Sequence, residues 1–215
     1  MAFTYTKPRR ARRIVYCADH GKVSSMSILS ALEKRRSVYA LGKELPISKD
    51  EVVSAITRTV ELVPDAFNMR SARVIIALGK SHERLWDVID AVFGGAVSRE
   101  KIESFKAGSG TVLFFYDQSV VEGLQTRFAD YADNFPVWAD QANGMLQYAV
   151  WSVLAEMGVG ANLQHYNPVI DTAIKELYDV PEYYVLRAEM VFGNILSVPA
   201  PKDPEDITTR VSVRR

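Results

Sequence analysis

Three short segments of this 215-residue chain carry side chains suited to binding or chemistry. "RRS", Arg35 to Ser37, closes a helical pattern and offers two guanidinium groups and a hydroxyl. A guanidinium fork matches a phosphate, whose oxygens accept parallel N–H bonds. The same cations also suit the negative end of a helix dipole, so this segment alone does not choose. "PDAFNMRSAR", residues 64–73, is a Pro-opened turn before a strand. Its Asn68 and Arg70 are suited to the polar edge of a planar heterocycle, or to a plain solvated loop. "GANLQHYN", residues 160–167, sets Gln164, His165, Tyr166 and Asn167 in a row after a long apolar stretch. Either these groups and the backbone beneath them bind something, or they form a helix-end loop with satisfied amides.

Other chemistries find less support. "GVGAN", residues 158–162, has the glycines of a dinucleotide-binding turn, but that turn must follow a strand and open a helix. Here the preceding pattern is helical. His20, His82 and His165 lack metal-ligand spacing, and Cys17 is the single cysteine, so no metal site is expected. No P-loop and no Gly-x-Ser-x-Gly elbow occurs; a Ser/His/Asp system is not excluded by spacing alone. With no catalytic side chains evident, an enzyme built on this chain would rely on a bound cofactor for the hard chemistry.

Apolar residues make up 48% and aromatics 10%, enough for one sizeable core. No apolar run reaches the ~18 residues that span a bilayer, so no membrane partner is expected. The net charge of zero conceals an imbalance. Residues 1–26 hold six Lys and Arg against the single acid Asp19, about +5, and the remainder is about −5. The body therefore lacks the basic character of a nucleic-acid binder. Three readings fit the basic segment: a disordered tail or an over-long start ahead of Met26, an organelle-targeting peptide, or an arm that touches nucleic acid. The expected location is cytoplasmic, or mitochondrial if the segment is a targeting peptide.

The elements that must position these segments follow from periodicity. "SILSALEKRRS" reads as a helix. "SKDEVVSAITRTVELV" is another, with Ser48 and Glu51 at capping-box spacing. "SHERLWDVIDAVFGG" is an amphipathic helix ended by Gly94, residues 118–132 read as helical, and "PVIDTAIKELYD" reads as a short helix opened by Pro168. Residues 137–158 are apolar around most of their circumference, as in a central or interface helix, with Gly158 and Gly160 as its stop. "ARVIIAL", "GTVLFFYD" and "YYVLRAEMVFG" read as buried strands. The Pro-containing tail from Asn194 is an extended arm, with "TRVSV" as a possible closing strand. Helices and few strands without regular βαβ spacing indicate an α+β fold in one body, residues 27–215, behind the basic extension 1–26.

Taken together, "ALEKRRSVYAL", "VPDAFNMRSARVIIAL", "WADQANGMLQYAVWSVLAEMGVGANLQHYNPVID" and "VLRAEMVFG" resemble the nitroreductase family. They are most similar to the subgroup of fungal fatty-acid-repression nitroreductases and their bacterial relatives. The resemblance runs from Ser27 to Val213, and "LQHYNP" is its most specific motif. It implies a central, mostly antiparallel sheet flanked by helices, and an obligate homodimer with one FMN in each of two interface clefts. It further implies hydride transfer from NADH or NADPH through FMN to a nitroaromatic or quinone-type oxidant. By the same resemblance Arg35 would meet the FMN phosphate, and Arg36 and Ser37 the ribityl chain and ring. Asn68 would lie at the pyrimidine side, with Arg70 where many relatives carry Gln. Leu163, Gln164 and His165 would lie against the flavin, with Gly160 letting the backbone approach it. Lys202 and Arg210 fall where a second basic phosphate contact is expected, Arg210 being the better placed. No side chain is expected to be catalytic. Phe135 and Trp138, with Pro136, would wall a substrate pocket, although Trp138 equally suits a core or interface. A flavin-binding redox or lipid-signalling regulator with little turnover is the alternative activity, and a nucleic-acid-associated protein using the basic arm is the third.

Overall fold

A computed structural model describes residues 28–215. The basic segment and the readings attached to it therefore lie outside the described residues. A five-stranded sheet is built from β1 (Leu41–Gly42), β2 (Ala72–Leu78), β3 (Gly110–Asp117), β4 (Gly160–Gln164) and β5 (Tyr184–Ile195). All named strand pairs are antiparallel: β2 on β3, β3 on β5, and both β4 and β1 along the other edge of β5. The expected α+β class with a mostly antiparallel sheet is what the chain forms.

Among the described residues seven helices cover this sheet: α1 (Ile28–Lys34), α2 (Lys49–Leu62), α3 (Lys80–Phe93), α4 (Arg99–Lys106), α5 (Gln118–Arg127), α6 (Asn134–Glu156) and α7 (Asp171–Tyr178). Strand alternation divides the core. Ile75, Leu113, Phe115 and Val191 turn to α3, α4 and α7, while Val74, Val112, Phe114 and Met190 turn to α2 and α6. β5 keeps this phase through a bulge: Phe114 pairs with Ala188 but Phe115 with Leu186, leaving Arg187 as the extra residue. The Phe115 carbonyl beside that bulge accepts from Asn143 Nδ2 of α6 at 2.9 Å, and Gln147 Nε2 donates to Asn143 Oδ1 at 2.7 Å. These amides explain the polar residues inside an otherwise apolar helix.

Local chemistry sets several boundaries as expected. Ser48 and Glu51 form a reciprocal capping box on α2. Gly94 ends α3 in the left-handed conformation at φ 53°. Other elements differ from the sequence reading. α6 begins at Asn134, so Pro136 sits in its first turn, where a missing N–H costs little. α5 stops at Arg127, and a separate 3₁₀ turn follows at Ala129–Tyr131. Pro168 does not open α7; residues 168–170 form a turn, and the helix begins at Asp171. "TRVSV" is not a strand, the chain making a 3₁₀ turn at Ile207–Thr209. β1, β4 and α4 add to the elements expected. Among the described residues, no helix is long and apolar enough to cross a membrane.

Candidate functional site

Two of the three chemical segments meet in space. α1 ends as the Arg35 amide bonds the Ala31 carbonyl at 3.0 Å, and the chain then runs beside β4. Ser37 bridges Ala161 in parallel, and the Val38 amide donates to the Ala161 carbonyl at 2.9 Å. Asn162 Nδ2 returns a bond to the Val38 carbonyl at 2.9 Å, and Gln164 Nε2 donates to Asn162 Oδ1 at 2.8 Å. Arg35, Arg36 and Ser37 thus lie alongside the start of "GANLQHYN".

Arg35 is poised for an anion. Its guanidinium lies 4.3 Å from the centroid of the Trp151 ring and 5.5 Å from that of Tyr148. Among the described residues no carboxylate forms an ion pair with it, and its buried Nε has no hydrogen-bond partner. Stacking on aromatic faces holds a cation without neutralising it. Arg36 is occupied differently: its Nη2 donates to the Ala200 carbonyl at 2.7 Å, tying the C-terminal arm to the end of α1. Lys202 and Arg210 lie further along that exposed arm, where Arg210 pairs with Glu205 at 2.8 Å. No contact joins either residue to Arg35 within the described chain.

Gly160 to Gln164 is β4, not a loop, and its "GVGAN" turn leaves a helix and opens a strand, the reverse of a dinucleotide-binding turn. Gly160 is required by packing: a Cβ there would meet Ile195 Cγ1 at 2.8 Å and Leu41 Cδ2 at 2.9 Å. Leu163 packs against the α2/α6 core, and the Gln164 amide is already bonded to Asn162. Tyr166 turns inward against Phe93 and Trp86. His165 alone of this group is exposed, so the segment offers its backbone and one imidazole.

Asn68 and Arg70 border a different space. A cleft of about 620 Å³ opens between the end of α2, the loop before β2, and Ala142 and Leu146 of α6, and both residues line it. This volume is within the range of small-molecule sites. The loop is unusual, since Phe67, Asn68 and Arg70 all have positive φ, at 57°, 50° and 54°. Such conformations in residues other than Gly cost energy and persist only where surrounding contacts enforce them. Asp65 Oδ2 accepts from the Arg70 amide at 2.5 Å, and Arg70 Nε donates to Asn68 Oδ1 at 3.2 Å. Arg73 adds the main clamp. It donates to the Arg70 carbonyl at 2.8 Å, to Tyr184 Oη at 3.0 Å and to Asp117 Oδ2 at 2.7 Å.

Phe67, missed in the sequence reading, lies half-exposed over an aromatic cluster. Its ring stacks on Trp138 at 5.5 Å and 20°, and meets Phe135 edge-on at 5.1 Å. Phe135 is wholly buried beneath it, so Phe135 supports the cluster from the core and does not itself face a pocket. Trp138 is partly buried and retains some surface. Spacing gave no sign of Phe67, because its role depends on a left-handed backbone that non-Gly residues rarely adopt.

Within one chain the Arg35 group and the Asn68–Arg70 cleft stay apart. Arg35 rests on Tyr148 and Trp151, whereas the cleft meets α6 at Ala142 and Leu146. From Ala142 to Trp151 is about 13 Å along a helix, and the two pairs point to different sides.

Two buried titratable groups flank β3 and β5. Burial pushes the Glu189 carboxyl up to about 8, opposed by the Tyr166 amide and reinforced by Asp171. Burial holds the His82 imidazole down to about 4. His82 Nδ1 lies 2.9 Å from Thr111 Oγ1, which also accepts from Trp86 Nε1 at 3.0 Å. A charged residue in a strand of apolar character was the available signal for Glu189, as it was for Arg73.

Fold and family agree: the chain belongs to the nitroreductase family, whose model matches residues 32–194. The yeast nitroreductase FRM2 of Saccharomyces cerevisiae is 34% identical over 177 residues, covering 81% of this chain and 91% of that protein. Nitroreductase CinD from Lactococcus lactis, solved in complex with chloramphenicol, is 42% identical with a TM-score of 0.84, and the match covers 88% of this chain and all of that one. The CinD complex with 4-nitrophenol superposes with a TM-score of 0.81 at 41% identity and the same coverage. A nitroreductase-fold protein from Exiguobacterium sibiricum, solved in complex with FMN, shares the fold at 13% identity and a TM-score of 0.67, over 88% of this chain and 98% of that one.

Proposed function

We propose that this chain is an FMN-dependent oxidoreductase that takes reducing equivalents from NADH or NADPH and delivers them to nitroaromatic or quinone-type acceptors. The carrying observation is Arg35, a guanidinium stacked on two aromatic rings with a buried Nε and, among the described residues, no carboxylate partner. Such a cation fits a phosphate, and Arg36 and Ser37 follow it beside Ala161 of β4, the strand that leads on to the backbone of 163–165, which would receive the rest of a flavin mononucleotide. Bound FMN would supply the two-electron chemistry that the side chains lack. The chain's contributions are binding, orientation and exclusion of water.

The separation of Arg35 from Asn68 and Arg70 favours a homodimer, in which a second copy brings the missing half of each site. α6 presents Val137, Met145 and Tyr148 to the outside, each about half-exposed, and α1 adds the exposed Ile28 and Leu29. A contiguous apolar face of this kind marks an interface. The Phe67–Trp138 surface beside the cleft suits flat aromatic acceptors, in keeping with the nitroaromatic compounds held by CinD. Arg210 and Lys202 on the arm would add a second cation at the phosphate.

Steady-state kinetics with FMN-loaded protein, NADH or NADPH, and 4-nitrophenol or a quinone test this reading. Parallel double-reciprocal lines are expected, because donor and acceptor use one cleft in turn. Bound flavin that is reduced only over many minutes, with negligible turnover, would instead support a regulator.

A further inference from the structure

We propose that Glu189 is a positioning residue that fixes the path of residues 164–166, and with it the surface that Leu163 to His165 turn toward the flavin. The inference rests on the FMN reading above. It begins with the sheet. β4 and β5 pair from Gly160↔Gly193 to Gln164↔Glu189, and the bulge at Arg187 comes next on β5. The ladder stops there, and the chain must leave the sheet within two residues. The Tyr166 amide then takes an acceptor from a side chain, Glu189 Oε2, at 3.0 Å.

The residue is out of character for its place. Glu189 shares its face of the sheet with Leu113 and Val191 and is fully buried. An apolar residue would fill that position at lower cost, since a buried polar group is expensive unless bonded. Among the described residues only one oxygen of Glu189 is bonded; Oε1 is buried without a partner there. The one bond it makes falls where β4 ends, on the residue after His165. Gln164 is buried, Tyr166 is wedged against Phe93 and Trp86, and His165 between them is exposed. Holding the Tyr166 amide therefore sets the side on which His165 emerges. The groups around this bond are Asp171 of α7, the Tyr166 phenol, Lys101 of α4 over the Tyr166 ring, and Tyr39.

Three readouts distinguish positioning from simple packing. Hydrogen exchange of the Tyr166 amide is followed on FMN-free wild type, Glu189→Gln and Glu189→Leu. The Gln oxygen can still accept the amide, so protection should persist in that variant. In Glu189→Leu the amide should exchange about 10-fold faster or more while the sheet amides stay protected. FMN is then added: Glu189→Gln should match the wild-type flavin spectrum and affinity, and Glu189→Leu should bind about 10-fold more weakly with a shifted absorption band. In wild type, the Tyr166 amide proton resonance should move as Glu189 titrates and stay fixed in Glu189→Gln, a comparison that survives even if the Leu variant fails to fold. Equal exchange in all three proteins, or an amide resonance that ignores Glu189, overturns the inference. Because exchange is read without flavin, a wild type that takes up no FMN refutes the functional reading separately and ends the flavin-facing role with it.

Discussion

Replacing Glu189 by Gln should make the protein more stable as pH rises, by an amount that the buried groups set. The Glu189 carboxyl is raised from 4.5 to about 8 by burial. A raised group binds its proton more tightly in the folded chain. Its contribution is fully present below pH 4.5 and is lost as pH rises to about 8, at about 1.4 kcal/mol per pH unit. His82 works in the opposite direction, being lowered from 6.5 to about 4. Its contribution is present above pH 6.5 and is lost as pH falls toward 4 at about the same slope. Between pH 4.5 and 6.5 the two slopes cancel, and wild-type stability should be nearly flat there. Glu189→Gln removes one slope, so its stability should rise from pH 4 to 6.5 and then level off. At pH 7 the variant should exceed wild type by roughly 3 kcal/mol. Urea unfolding of both proteins every half unit from pH 4.5 to 8.5, at one protein concentration, gives the difference directly, and all other titrations cancel in it. A wild-type-to-variant difference that does not change with pH would refute the assignment of Glu189 as a buried neutral carboxyl.

Other outcomes follow from the site. Arg35→Ala should weaken FMN binding about 10- to 150-fold, the worth of a charge-assisted contact of roughly 1.5–3 kcal/mol, as measured by fluorescence titration; unchanged affinity would leave Arg35 as a helix-end cation only. Arg70→Gln should lower the flavin midpoint potential by roughly 30–60 mV, because a guanidinium favours the negative charge gained on reduction. A shift under about 10 mV in spectroelectrochemistry means that Arg70 serves only its contact with Asn68. Val137→Asp with Met145→Asp, which leaves the rings around Arg35 intact, should turn a dimer into monomers at micromolar concentration in sedimentation and remove bound FMN, since each site would lose its second half; a flavin-loaded monomer would contradict shared sites.

Much of the architecture was legible because local chemistry and tertiary demand agree. The β-branched run at 72–78 and the apolar, aromatic-rich run at 110–117 became β2 and β3, and the Ser48–Glu51 pair caps α2 as its spacing requires. β4 was not legible. "GANLQ" has no β-branched residue, and its strand conformation comes from β5 and from Val38, both distant in sequence. α4 was missed because eight residues with five charged side chains give little periodicity, although Ser98 does cap it. In the site, Arg35 and Asn68 stood out by residue type. The clamp by Arg73, the left-handed conformations of Phe67, Asn68 and Arg70 and the Glu189 bond were hidden, since each is made by residues that meet only after the sheet forms. Phe135 was misjudged because an aromatic at a helix start looks the same in sequence whether it faces solvent or lies under Phe67.

The central claim is that this chain holds FMN that a nicotinamide donor can reduce. Its most direct test is the visible spectrum of the purified protein, reconstituted with FMN and titrated anaerobically with NADH and with NADPH. The account predicts about one tightly held flavin per chain and full bleaching of its absorption near 450 nm by one equivalent of donor, with recovery on adding 4-nitrophenol or a quinone. Protein that stays colourless after reconstitution, or whose bound flavin neither donor bleaches, would contradict it.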